Sequence, residues 1–221
     1  MELLLAQKMF DWHSFTVTQF AQDIVSIFAI LNPIGNLPIF LGLTEDATLH
    51  ERRRVFRLAC SIGLAIVAVM AIGGTFILHT FFQVSTDELR FGGGLLLIAF
   101  GGMAVLRGQT DRQPARLDGD RLIDANTRLA VSPIASPLLV GPGAIVVVML
   151  LAQQSGALYA LLASAICFAI VAIILHWAHW GYRLMGPVGT MAVGRVMNIF
   201  IVAIGVHFIF TSIKQVFLQS H

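Results

Sequence analysis

The sequence predicts an all-α, polytopic membrane protein. Its six transmembrane helices form two inverted three-helix repeats, and helices 1 and 4, which open the repeats, are broken. Three observations predict this. Apolar residues gather into runs free of Asp, Glu, Lys and Arg, at 24–44, 58–86, 91–106, 129–182 and 196–213. Lys and Arg divide very unequally between the loops that these runs leave. Two proline-bearing stretches 100 residues apart also echo each other. Asn32-Pro33-Ile34-Gly35-Asn36-Leu37-Pro38 and Ser132-Pro133-Ile134-Ala135-Ser136-Pro137 both read polar-Pro-Ile-small-polar.

The chain is 57% hydrophobic and 12% charged, with a mean hydropathy of +0.83. A soluble domain would carry about 25% charged residues. A bilayer span needs roughly 20 mostly apolar residues. The run 129–182 holds two spans, divided near Gln153-Gln154-Ser155-Gly156. The spans fall at about 17–43, 58–83, 89–106, 128–151, 157–180 and 194–214. The first repeat is then 1–106, a charged cytoplasmic linker is 107–127, and the second repeat is 128–221.

Residues 1–16 form a partly amphipathic lead-in rather than a cleavable signal peptide. Glu2 precedes a short apolar patch, and Lys8 and Asp11 follow it. The first span opens polar, with Thr16, Thr18, Gln19, Gln22 and Asp23, and then turns apolar up to the first break. About 21 Å of helix before the break and about 9 Å after it match a ~30 Å hydrocarbon core. Asp23 reads either as a site for a coupling proton or sodium ion or as an interfacial residue near the outer surface.

Thr44-Glu45-Asp46 and Arg52-Arg53-Arg54 make a charged connection. The second span carries Gly63, Gly73 and Gly74. Ser85-Thr86-Asp87-Glu88 caps the third, which opens Arg90-Phe91-Gly92-Gly93-Gly94 and runs to Gly101-Gly102. Small residues let membrane helices approach closely, so packing is the default reading for these glycines. Span four contains the second break. Span five ends His176-Trp177-Ala178-His179-Trp180, with the tryptophans in an aromatic belt. Span six opens Gly194-Arg195-Val196-Met197-Asn198 and passes His207, read by default as hydrogen-bonded to a neighbouring helix. His176 and His179 stand one turn apart, but no carboxylate lies near them to complete a metal site. Cys60 and Cys167 read as packing residues, with no disulfide or metal spacing.

Six spans place three cations, Lys8, Arg90 and Lys214, on one side. The other side holds eleven, among them Arg52, Arg53, Arg54, Arg57 and the arginines of 107–128. The positive-inside rule makes the second side cytoplasmic, with both termini outside or periplasmic. The formal charge of +2 implies no nucleic-acid partner.

Asn or Ser before Pro is a helix-start signature: a side-chain N-cap, then a residue whose missing N–H costs nothing. A helix restarting inside a membrane presents N–H groups and a positive dipole end, and the preceding half-helix presents carbonyls. Together they suit a small zwitterion. The predicted substrate-binding set is Asn32, Pro33, Gly35, Asn36 and Pro38 from the first break. The second contributes Ser132, Pro133, Ser136, Pro137, Gly141 and Gly143. No cofactor or metal is implied, and Gly-x-Ser-x-Gly, His-Glu-x-x-His and an intramembrane carboxylate pair are all absent, which argues against an enzyme.

These motifs resemble those of MarC-family (UPF0056) integral membrane proteins. The pattern Asn/Asp-Pro-x-Gly-x-x-Pro-x-Phe matches Asn32, Pro33, Gly35, Pro38 and Phe40. A second pattern resembles Pro133 to Ile145, with Ile134 in place of leucine. Arg-x-x-Gly-Gly matches Arg90, Gly93 and Gly94. Arg-x-Met-Gly matches Arg195 and Met197, with Asn198 in place of the glycine. The resemblance implies six spans, an inner-membrane location and kinship with LysE-like exporters of small solutes, including small neutral amino acids of the glycine or alanine type. The leading expectation is therefore a secondary carrier or exporter of such amino acids in the lipid bilayer. A passive small-solute channel and a non-transporting scaffold or sensor are the alternatives.

Overall fold

The computed structural model describes residues 16–44, 47–107 and 139–219. Every regular element among them is helical: α1 (Val17–Leu31), α2 (Leu37–Leu43), α3 (Leu49–Val69), a π-helical turn (Met70–Gly74), α4 (Thr75–Thr80), α5 (Thr86–Arg107), α6 (Pro142–Ser155), α7 (Ala157–His176) and α8 (Ala178–Gln219). Among the described residues, four stretches are long and apolar enough to cross a membrane: Leu49–Gly74, Thr86–Leu106, Ala157–His176 and Val188–Phe217. α1 and α6 are apolar but shorter.

α6 is the central helix. Nine of its residues are buried, from Gly143 to Ala152, and it touches α1, α3, the π turn, α4, α5 and α7. A helix apolar on every side has no solvent face to prefer, so it takes the core. The longer helices surround it and turn large apolar side chains outward. Val69, Ile72, Phe76, Leu95, Phe100, Ile173, Ile199 and Phe210 are all exposed. An apolar surface this extensive has lipid as its solvent.

α5 and the latter part of α8 pack antiparallel in a fixed register. Ser212 donates its hydroxyl to the Asp87 carbonyl at 2.7 Å, Gly94 faces Gly205, and Gly101 faces the Asn198 backbone. Each step is seven residues on both helices, the spacing of a coiled-coil seam. A Cβ on Gly94 would stand 2.6 Å from the Gly205 oxygen, and one on Gly205 would stand 2.7 Å from the Gly94 oxygen. One end of the seam is pinned by Arg90, which is buried, pairs with Asp87 at 3.0 Å and donates to Gln215. Arg90 is thus an anchor between helices. Arg195 is exposed.

Three expectations need correction. The divider placed at 153–156 is a single residue: α6 runs through Ser155, and Gly156, at φ 93°, turns the chain directly into α7. Glycine adopts that backbone without a Cβ clash. The connection expected between spans five and six is almost entirely helical. α7 stops at His176, and α8 begins at Ala178 with one interruption, at Gly186 (φ 65°). Gly186-Pro187 breaks the helix locally, but the charged Arg183 and Arg195 do not. His207 is exposed and approaches Thr211 of its own helix at 3.5 Å, so its partner is one turn away rather than on a neighbouring helix.

Candidate functional site

The first break lies within the core. α1 ends at Leu31, and Asn32 closes it in the left-handed region at φ 44°, ψ 51°, its N–H bonded to the Phe28 carbonyl. Asparagine tolerates this conformation better than most side chains. Residues 33–36 then form a turn that leads into α2, with Pro38 in its first turn. Asn32, Pro33, Gly35 and Asn36 are buried.

Asn32 serves both helices. Its Oδ1 accepts from the Gly35 N–H at 3.2 Å, inside the turn; the N-cap position expected of Asn32 falls instead to Asn36, which makes no side-chain cap bond. The Asn32 carbonyl accepts from the Asn36 N–H at 3.0 Å. The Leu37 N–H bonds to the Ile34 carbonyl at 3.1 Å, and Asn36 Nδ2 reaches back to the Leu31 carbonyl at 3.4 Å. The break therefore uses the N–H groups of Gly35, Asn36 and Leu37 internally. The polar groups it offers elsewhere are side-chain amides.

One of those amides crosses to α8. Asn32 Nδ2 donates to Asn198 Oδ1 at 3.1 Å, and both side chains are buried. Asn198 sits where the sequence pattern has glycine, and that departure hid its role. The signal that points to it is a single carboxamide inside the apolar run 196–213. Gln153, read only as part of the divider, and Ser164 are two further polar residues of the apolar run 129–182. Both bury side-chain polar atoms that have no hydrogen-bond partner among the described residues.

From the second break, Ser132, Pro133, Ser136 and Pro137 lie outside the described residues. Its downstream glycines do not. Gly141 caps α6, with Pro142 at the first helical position, the arrangement expected of a proline-initiated helix. Gly143 is buried, and a Cβ there would stand 2.6 Å from Leu97 Cδ2 and 3.5 Å from Ile30 Cγ2. The start of α6 thus lies against the last turn of α1, two residues before the first break begins at Asn32. Gly143 meets side chains rather than open space.

Asp23 lies midway along α1. Tyr159, at the start of α7, donates its hydroxyl to Asp23 Oδ2 at 2.8 Å, and Gln19 Nε2 donates to Oδ1 at 3.2 Å. The Tyr159 ring meets Phe20 edge-on at 5.1 Å. Asp23 is therefore a partly buried link between α1 and α7. Tyr159→Phe should lower unfolding stability by about 1–3 kcal/mol, the usual worth of a hydrogen bond to a charged group. Thermal melts in detergent check this; an unchanged melting temperature would show that the link contributes nothing.

Among the described residues, Arg90 is the one buried charged side chain, and it is committed to Asp87 and Gln215. Around the break the buried polar groups are neutral: Asn32, Asn36 and Asn198. The arrangement can hydrogen-bond a small solute, and among the described residues it has no fixed charge there to balance a net ionic one.

Comparison with known proteins agrees with this architecture. The model of the MarC family of integral membrane proteins matches residues 17–217. A UPF0056 membrane protein of Archaeoglobus fulgidus is 32% identical over 200 residues, covering 89% of this chain and 92% of its own length. The UPF0056 inner membrane protein MarC of Escherichia coli O157:H7 is 30% identical over 216 residues, covering 90% and 95%. The UPF0056 membrane protein YhcE of Escherichia coli K12 is 26% identical over 199 residues, covering 87% and 91%. No solved structure matches. With its family model spanning both the Asn32 break and the α5–α8 seam, the chain belongs to the MarC family of integral membrane proteins.

Proposed function

We propose that the chain is an inner-membrane carrier of small neutral amino acids. In this reading it has six spans in two inverted repeats, with the broken α1–α2 segment as span one and α6 as the described part of span four. Solute is held between the Asn32 break and the start of α6. The observation that supports this best is the Asn32–Asn198 amide pair, buried at a helix break inside an apolar bundle. Asn32 alone would serve a kink, but a second buried amide on a distant helix is not needed for one, and buried amides cost free energy unless bonded. Broken helices at a repeat interface are the usual site of solute in secondary carriers. The neutral lining favours a solute of no net charge. Loops rich in arginine put both termini outside.

Asp23 is the candidate for coupling to a proton or sodium ion, since its carboxylate links α1 to α7. Uptake of labelled glycine and alanine into proteoliposomes, with and without proton or sodium gradients, tests the proposal. Saturable uptake that the unlabelled amino acid reduces is expected. Asp23→Asn should keep saturable exchange and lose stimulation by the gradient. Flux that never saturates and ignores competitors would replace the carrier with a channel.

A further inference from the structure

The amide orientations at the break are fixed by chemistry. Asn32 Oδ1 is committed as an acceptor, because the Gly35 N–H points at it from 3.2 Å. Asn32 must therefore turn its NH2 group toward Asn198, and Asn198 must answer with its oxygen, at 3.1 Å. A flipped Asn198 would set two NH2 groups face to face. Asn198 Nδ2 is left facing away from Asn32. It has less than 1 Å² of exposed surface and no hydrogen-bond partner among the described residues. A buried amide donor without an acceptor is rare and costly in native proteins, more so where lipid rather than water surrounds the bundle.

The rest of the residue is firmly held. Its backbone lies against α5, where a Cβ on Gly101 would stand 3.0 Å from the Asn198 carbonyl oxygen. The side chain is 3% exposed. A donor held this firmly beside a helix break, with no acceptor among the described residues, can take its acceptor from a bound solute.

We infer that Asn198 is a solute-binding residue, whose Nδ2 donates to an oxygen of the bound solute and so determines specificity. This rests on the carrier reading above and names a contact that the two proline motifs do not contain. The acceptor is either the carboxylate that every amino acid has or a side-chain hydroxyl such as that of serine. Because Nδ2 is closed off in this structure, solute reaches it only when the bundle opens at the break.

The test is binding to the detergent-solubilised full chain by calorimetry, using alanine, serine and 2-aminobutyrate, which has the shape of serine without its hydroxyl. Asn198→Ala should weaken binding about tenfold or more, the size of one hydrogen bond to a charged or polar oxygen. Asn198→Ser keeps a donor and should recover part of the loss. If all three ligands weaken together, the acceptor is the carboxylate; if serine alone weakens, and wild type prefers it over 2-aminobutyrate, the acceptor is the hydroxyl. Melting temperatures of each variant separate binding from folding. Should Asn198→Ala fail to fold, Asn198→Ser and Asn198→Leu carry the same comparison, the latter expected to bind as weakly as alanine was to. Variants that melt lower yet bind all three ligands with wild-type affinity would overturn the inference and leave Asn198 a structural residue. Wild type that binds none of the three would instead overturn the carrier reading.

Discussion

Gly94→Ala should destabilise the protein by about 1–3 kcal/mol, while the same change at Gly92 or Gly102 should be neutral or stabilise it by up to about 1 kcal/mol. All three glycines lie on α5. At Gly94 the new methyl would stand 2.6 Å from the Gly205 carbonyl oxygen and 2.8 Å from Ile209 Cγ1. The oxygen is backbone, so it cannot rotate away, and the two helices must separate to admit the methyl. At Gly92 and Gly102 nothing lies within 4 Å, so alanine brings only its better helix propensity. Gly205→Ala should match Gly94→Ala, and the double variant should cost less than the sum, because one separation relieves both clashes. Cys60 and Cys167 provide the readout. They are the chain's two cysteines and both are buried, so a thiol-reactive fluorophore reports the temperature at which the bundle opens. A uniform response across the three positions would show that the seam is not tightly packed.

Asn32→Ala should have the largest effect on function, abolishing saturable uptake and lowering stability by about 3–8 kcal/mol. Three losses coincide. The Gly35 N–H loses its acceptor and Asn198 loses its donor partner, each costing about 1–3 kcal/mol when buried. Alanine must also adopt φ 44°, at about 1–2 kcal/mol. Asn32→Gly separates these contributions, because glycine takes the left-handed backbone freely but replaces neither hydrogen bond. It should melt between wild type and Asn32→Ala and still fail to transport. Retained transport in Asn32→Gly would show that the backbone break suffices and that the amides are dispensable.

These two sites differ in how far the sequence revealed them. Gly93, Gly94 and Gly101 stand in a row inside an uncharged run, and close helix packing is the plain reading of such a row. The partner was not legible, because the register that brings Gly205 to Gly94 depends on a helix more than a hundred positions later. Asn32 was legible as a break from Pro33 and Gly35, but the N-cap read into it belongs to Asn36, four residues later. The left-handed closure of α1 by Asn32 and its bond to Asn198 were not legible, since both follow from tertiary packing. The N–H groups assigned to a solute turned out to be bonded inside the turn, which local sequence could not foretell. The helical path through 178–193 was hidden by Arg183, Gly186 and Pro187, which together read as a loop. Charge marks the membrane boundary, but a helix can continue past it.

The heptad-spaced seam also sets an order of events during synthesis. Asp87, Arg90 and Gly94 emerge from the ribosome more than a hundred residues ahead of Gly205, Ser212 and Gln215. At 5–20 residues per second, α5 waits roughly five to twenty-five seconds for its partner. Through that interval its glycine-lined face lacks the helix it was shaped for, and Arg90 has Asp87 but not Gln215. The early half of the chain is therefore an unfinished assembly until its final helix enters the bilayer. A ribosome stalled or released before that point leaves an intermediate in which Arg90 lacks Gln215 and the Gly94 face lacks Gly205.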